Sequence, residues 1–164
     1  MNEEAQRLLE SLDRQRNHVL GILEGLAEDQ LRRPVLPSGW NCLGMVKHLA
    51  LSDEHYWFRC IVGGDSLDFF EDESLKDGGD WRATPDESAE AIFDLYRTEI
   101  SRANTIIAAT ALDAPPAQRD QWWGDWDVPD FRFIMLHVIT ETACHAGHLD
   151  AVREILDGRQ WIVL

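Results

Sequence analysis

The chain has little that would tie it together covalently or carry it into a bilayer. Its three cysteines, Cys42, Cys60 and Cys144, are scattered and odd in number over 164 residues. No disulfide framework is expected, and a reducing cytoplasm suits such a chain. No apolar run approaches the ~20 residues that span a membrane, and the opening MNEEAQRLLESLDRQRNH has no apolar signal core. Positive charge is also scarce, with 15 Lys and Arg against 30 Asp and Glu and a formal charge of −15. A surface of that sign repels phosphate backbones and anionic lipid, so nucleic acid and membrane are not expected partners. Segments alternating polar and apolar residues are missing too, which leaves an all-α fold.

What is present is a core. Hydrophobic residues make up 45% of the chain, enough to exclude disorder, and the length fits one domain over residues 1–164. Four helical patterns follow one another. The first runs from Glu3 to Leu26, with Leu8, Leu9, Leu12, Val19, Leu20, Leu23 and Leu26 on an apolar face. After the loop AEDQLRRPVLPSGW, a second begins at Asn41, a capping side chain, and continues through CLGMVKHLALSDEHYWFRCIV until Gly63-Gly64. A long polar loop with an Asp-Gly-Gly turn follows, with Phe69, Phe70 and Trp81 as its expected anchors. Thr84-Pro85-Asp86-Glu87 reads as the start of a third helix that extends to about Ala109. The fourth starts near Asp130 and ends at Leu156 before Asp157-Gly158, and the tail RQWIVL is apolar enough to pack back.

The fourth helix carries the chemistry. His137, Glu141, Cys144, His145 and His148 fall within an arc of about 100°. Glu141 and His145, spaced i, i+4, lie one turn apart and can point at one ion. The second helix offers His48, with Ser52 and His55 expected on the same face, and facing helices of a bundle are a usual place for metal ligands. Burying Glu141 with no cation beside it would cost several kcal/mol. On spacing alone, two readings stay open: a metal site and a plain polar network between helices.

The stretches PSGWNCLGMVKHLALSDEHYWF and HVITETACHAGHLDAVREILDG resemble the second and fourth helices of DinB-like proteins. WRATPDESAEAIFDLYRTEI resembles their third-helix entry. The likeness is to the branch that includes mycothiol-dependent maleylpyruvate isomerase, in which Glu replaces the first histidine of the usual i, i+4 pair. It implies an up-down-down-up four-helix bundle with long connecting loops, and His48, Glu141 and His145 as metal ligands. Relatives commonly carry a basic residue directly before HAGH, where this chain has Cys144, a small buried hydrophobe or a thiol near the metal. His148 is expected outside the ligand set, His137 at the core or the roof of the pocket, and His55 as the alternative ligand. Trp40, Trp57, Trp122, Trp123 and Trp126 are expected as pocket walls or as ordinary core and loop anchors.

Two imidazoles and a carboxylate leave a coordination position open, as in catalytic zinc sites, although nickel, iron and manganese accept the same donors. An open Lewis-acid site lowers the pKa of a bound thiol or of water. The resemblance favours the thiol: mycothiol or bacillithiol, transferred to or isomerising a small electrophile. A hydrolase using activated water and a non-catalytic binding or stress-response module are the alternatives. The first helix's apolar residues and the resemblance suggest a homodimer, with a monomer the other reading.

Overall fold

The computed structural model describes residues 2–73 and 75–161, and for Phe69 and Phe70 the backbone only. The described residues are helical, with turns and loops between the helices and no strand among them. Helix α1 spans Glu3–Leu23, α2 is the short Glu28–Leu31, and α3 covers Cys42–His48. The chain then continues without a break as a π-helical segment, Leu49–Val62. Helix α4 is Ala89–Ala109 and α5 is Phe131–Asp157.

Local chemistry explains most of the ends. Asn2, Asn41, Ser88 and Asp130 each accept, through the side chain, from a backbone N–H three residues on, which satisfies an orphan donor of the first turn. Gly158 closes α5 in the left-handed region at φ 80°. The third long helix starts at Ala89, capped by Ser88 four residues after Thr84, and Glu87 serves the turn before it. Its carboxylate accepts from the Thr84 backbone N–H at 2.7 Å and pairs with Lys47 at 2.8 Å, so Thr84–Glu87 forms a separate turn. The first helix ends at Leu23 rather than Leu26, although Leu26 still packs into the core.

Helix α1 packs along α5, and the π-helical segment packs along α4. The buried side chains fall into two clusters. One gathers Val19, Ile22, Leu43, Val46, Leu49, Ile92, Tyr96, Ala146 and Leu149. The other gathers Ala5, Leu12, Phe58, Ile61, Ala103, Ile107, Phe131 and Val138.

Polar side chains occupy the level between the two clusters. Arg16 donates to both oxygens of Glu54, at 2.7 and 2.6 Å, and the Glu54 side chain is fully buried. Glu99 accepts from Arg102 and Arg59, and Asp53 faces Thr142. Beyond α5, Trp161 stacks on His18 with centroids 5.0 Å apart, so the tail does fold back through this residue, while 162–164 lie outside the described residues. The side chains of Phe69 and Phe70, two of the expected loop anchors, are likewise not described.

Candidate functional site

The site is built where α3 hands over to the π-helical segment. His48 is the last residue of α3, and its ring faces that of His145 on α5 edge-on, with centroids 5.3 Å apart. The loop before α4 closes over this pair. Asp80 comes within 2.7 Å of His48 Nδ1 and also accepts from the Ser52 hydroxyl at 2.9 Å. Trp81 stacks on the His48 ring at 3.7 Å and meets His145 edge-on at 5.4 Å.

Three features pin that loop. The Trp81 carbonyl packs directly on Gly44, where a Cβ would stand 2.0 Å from its oxygen, so only glycine fits. Lys47 donates to the Arg82 carbonyl at 3.1 Å. Arg32 donates to the carbonyls of Thr84 and Glu87. A turn through Gly78, at φ 78°, starts the approach.

Electrostatics follow from this geometry. Although burial pushes the Asp80 carboxyl upward, the hydrogen bonds from His48 and Ser52 hold it below the usual carboxylate range. Beside an ionised Asp80, the His48 tautomer with its proton on Nδ1 would leave the Nε2 lone pair free, the arrangement that orients histidine for an ion. Burial, with His48 and His148 nearby, pushes the His145 imidazole down to about 4, so the ring is neutral at physiological pH. Its Nδ1 is buried without a hydrogen-bond partner, and its Nε2 lies 3.8 Å from a Glu141 oxygen.

The donor chemistry fits a divalent ion. Two atoms bound to one ion at ~2.0–2.2 Å lie roughly 3–4 Å apart, and the 3.8 Å between Glu141 and His145 falls in that range. The assembly is open all the same. Among the described residues, no group of three or more His, Cys, Asp or Glu side chains stands ready-assembled to hold an ion.

The other expected residues are distributed differently. Glu141 was expected to be buried, yet its side chain is 42% exposed. The buried stripe of α5 runs through Val138, Thr142, His145 and Leu149, and Glu141 sits one residue, about 100°, off it. Cys144 is exposed for the same reason and is no core residue. His148 lies at the rim, its ring 5.8 Å from that of His145 and 6.3 Å from Trp40.

His55 does not share a face with His48. It is buried against Glu99 of α4, 3.6 Å away, where burial and Arg59 push its imidazole down. Seven residues at ~100° each return nearly to the starting face, but at the ~80–85° of a π-helix they stop well over 100° away. His137 lies among tryptophans, with centroids 4.7 Å from Trp57 and 5.3 Å from Trp126. Trp57 also stacks on Trp123, while Trp122 is 87% exposed and lies away from the histidine site. A cleft of about 870 Å³ between residues 67–77 and Arg119–Trp122 contains none of the histidine-site side chains.

Asp80 and Trp81 went unrecognised as site residues in the sequence. The only local hints were the turn glycines just before Asp80 and a glycine inside an otherwise large-residue helix, Gly44.

A family model for mycothiol S-transferases matches residues 7–158. The chain belongs to this family. The match takes in the whole site, from Gly44 and His48 through Asp80 and Trp81 to Glu141 and His145. No curated protein and no solved structure matches the chain. Among the described residues of this mycothiol S-transferase family member, no helix is long and apolar enough to cross a membrane.

Proposed function

We propose that this protein is a divalent-metal-dependent thiol S-transferase that takes a low-molecular-weight thiol, mycothiol or its functional counterpart bacillithiol, and transfers it to a small electrophile. The observation that carries the reading is the pairing of His48 and His145 from separate helices, 5.3 Å apart, with His48 clamped by Asp80, in a chain of the mycothiol S-transferase family. His48 through Nε2, His145 and Glu141 would hold the ion, with zinc the favoured metal. When bound there, the ion supplies Lewis acidity that lowers the pKa of a thiol. Asp80 keeps the His48 ring in one tautomer and orientation. Trp81 covers the His48 face and keeps water from that side. Glu141, half-exposed, has the freedom to turn toward His145 or away. The thiolate sulfur forms a bond to the electrophilic carbon, the leaving group departs with its electron pair, and the thiol proton goes to solvent.

The bundle topology implied by this family reading is up-down-down-up. The two apolar clusters support it: one joins the start of α1 and α5 to the end of the π-helical segment and α4, and the other joins the opposite ends.

Elemental analysis of the purified protein, followed by mycothiol consumption with 1-chloro-2,4-dinitrobenzene, tests the function. Stoichiometric metal and chelator-sensitive thiol consumption are expected. Turnover of ester probes without any thiol, or a metal-free protein with full transferase activity, would overturn the reading.

A further inference from the structure

Beside the histidine site lies an aromatic cluster that the transfer of a thiol does not by itself require. His137 is one turn before Glu141 on α5, roughly 6 Å along the axis. Its ring sits edge-on to Trp57 at 4.7 Å and to Trp126 at 5.3 Å. Trp126 in turn meets Trp57 at 5.7 Å with the planes perpendicular, and it packs against Phe133 at 5.8 Å. Trp57 is buried at 5% exposure, whereas Trp126 leaves 41% of itself open. Four rings, those of His137, Trp57, Trp123 and Phe133, brace this indole and still leave it part-open to solvent.

His137 is the second observation. Among the described residues it makes ring contacts and no hydrogen bond, and burial pushes its imidazole down. An imidazole held among indoles keeps an N–H to offer an incoming molecule. Indole faces are electron-rich, so they favour electron-poor rings laid flat on them. The imidazole N–H favours an acceptor on that ring, such as a nitro or carbonyl oxygen. The separation of one helical turn from Glu141 equals about the length of a single aromatic ring with one substituent.

We infer that Trp126 and His137 form the binding site for the electrophile, and that the electrophile is a planar, electron-poor aromatic or conjugated carbonyl compound. The inference rests on the transferase reading for its chemistry, but the site binds without turnover. With a chloroarene, the thiolate sulfur bonds to the carbon bearing chlorine, chloride leaves with the bonding pair, and the thiol proton passes to solvent.

The test compares Trp126→Ala and Trp126→Phe with the parent protein in two assays. In turnover with mycothiol, Trp126→Ala is expected to raise KM for 1-chloro-2,4-dinitrobenzene by about three- to tenfold. It should leave kcat within about twofold and KM for iodoacetamide, an aliphatic electrophile, unchanged. Trp126→Phe, which keeps a ring face, should recover most of the loss. In calorimetry without thiol, the unreactive 1,3-dinitrobenzene should bind the parent protein and lose affinity by a similar factor in Trp126→Ala.

Trp126 lies at the surface, and an unchanged thermal midpoint checks that its replacement leaves the fold intact. Equal effects on the aromatic and aliphatic electrophiles, or undiminished 1,3-dinitrobenzene binding by Trp126→Ala, would overturn the inference. Failure of the transferase reading shows differently: no thiol is consumed with either electrophile, while 1,3-dinitrobenzene still binds in a Trp126-dependent way.

Discussion

Replacing Gly44 with alanine should open the histidine site from a position whose side chain never touches it. The added Cβ would stand 2.0 Å from the Trp81 carbonyl oxygen and 2.9 Å from its carbon, where ordinary contact begins at 3.4 Å. The carbonyl must therefore retreat by the difference, about 1.4 Å. The atoms in the way are backbone, not the tip of a flexible side chain. Trp81 stacks 3.7 Å from His48 and its neighbour Asp80 is 2.7 Å from the same ring, so neither contact survives a shift of that size.

On stability, alanine gains up to ~1 kcal/mol over glycine in a helix. Overpacking costs ~1–3 kcal/mol, and the loosened loop hydrogen bonds add about 1 kcal/mol each. A net loss of roughly 1–2 kcal/mol is expected. Loss of the partner that orients a ligand histidine typically weakens metal binding by about 10- to 100-fold. Urea denaturation and chelator competition measure the two effects. A Gly44→Ala protein more stable than the parent, with unchanged metal affinity, would refute the argument that Trp81 is seated on this glycine.

Asp80→Ala should reproduce the 10- to 100-fold weakening of metal affinity while leaving the far apolar cluster and the fold intact, as read by chelator competition and circular dichroism. His48→Ala and His145→Ala should each sharply reduce metal content in elemental analysis, whereas His55→Ala should keep it, because His55 faces Glu99 rather than the site. Arg16→Met should cost about 3–5 kcal/mol in chemical denaturation by stranding the buried Glu54, and Arg16→Met with Glu54→Leu should recover most of that loss. In the metal-stripped protein, stability should hold above the ordinary histidine pKa of ~6.5 and fall as pH drops toward about 4. The unfolded chain takes up a proton in that window while folded His145 does not, and His145→Gln should flatten the slope.

The helix ends were legible where a single side chain decides them: Asn41, Asp130 and Gly158 act on backbone groups within a few residues. The start of α4 was misread at Thr84 because Thr84–Glu87 makes the expected local bond yet closes only one turn, and Ser88 caps the helix itself. His48 and His145 were legible as a pair through the resemblance of their two helices to those of DinB-like proteins, since spacing alone offered His55 as well. The two rings do face each other. The exposure of Glu141 was not legible, since an arc of about 100° contains both the buried line and its rim. Asp80 and Trp81 escaped notice as site residues because a loop residue declares no face, and distant contacts deliver them: packing on Gly44 and hydrogen bonds from Lys47 and Arg32. His55 was assigned to the wrong face by assuming 3.6 residues per turn through a segment that is π-helical.

That altered period accounts for more than one histidine. Three consecutive residues of the π-helical segment reach three different helices: Asp53 faces Thr142 on α5, Glu54 pairs with Arg16 on α1, and His55 approaches Glu99 on α4. All lie at the level between the two apolar clusters, where a buried ion pair such as Arg16–Glu54 contributes little net stability over apolar packing. What such a layer does supply is a fixed register. Sliding or tightening the segment by one residue would strand Glu54 and Asp53 together, at several kcal/mol each. Burial already pushes the Asp53 carboxyl well above the usual carboxylate range, with Glu54 and Glu141 adding to the rise. The same register carries His48, just before the segment, toward His145 and Trp57, nine residues later, toward His137. The polar layer thus holds the histidine pair and the aromatic cluster at a set separation along one face of α5.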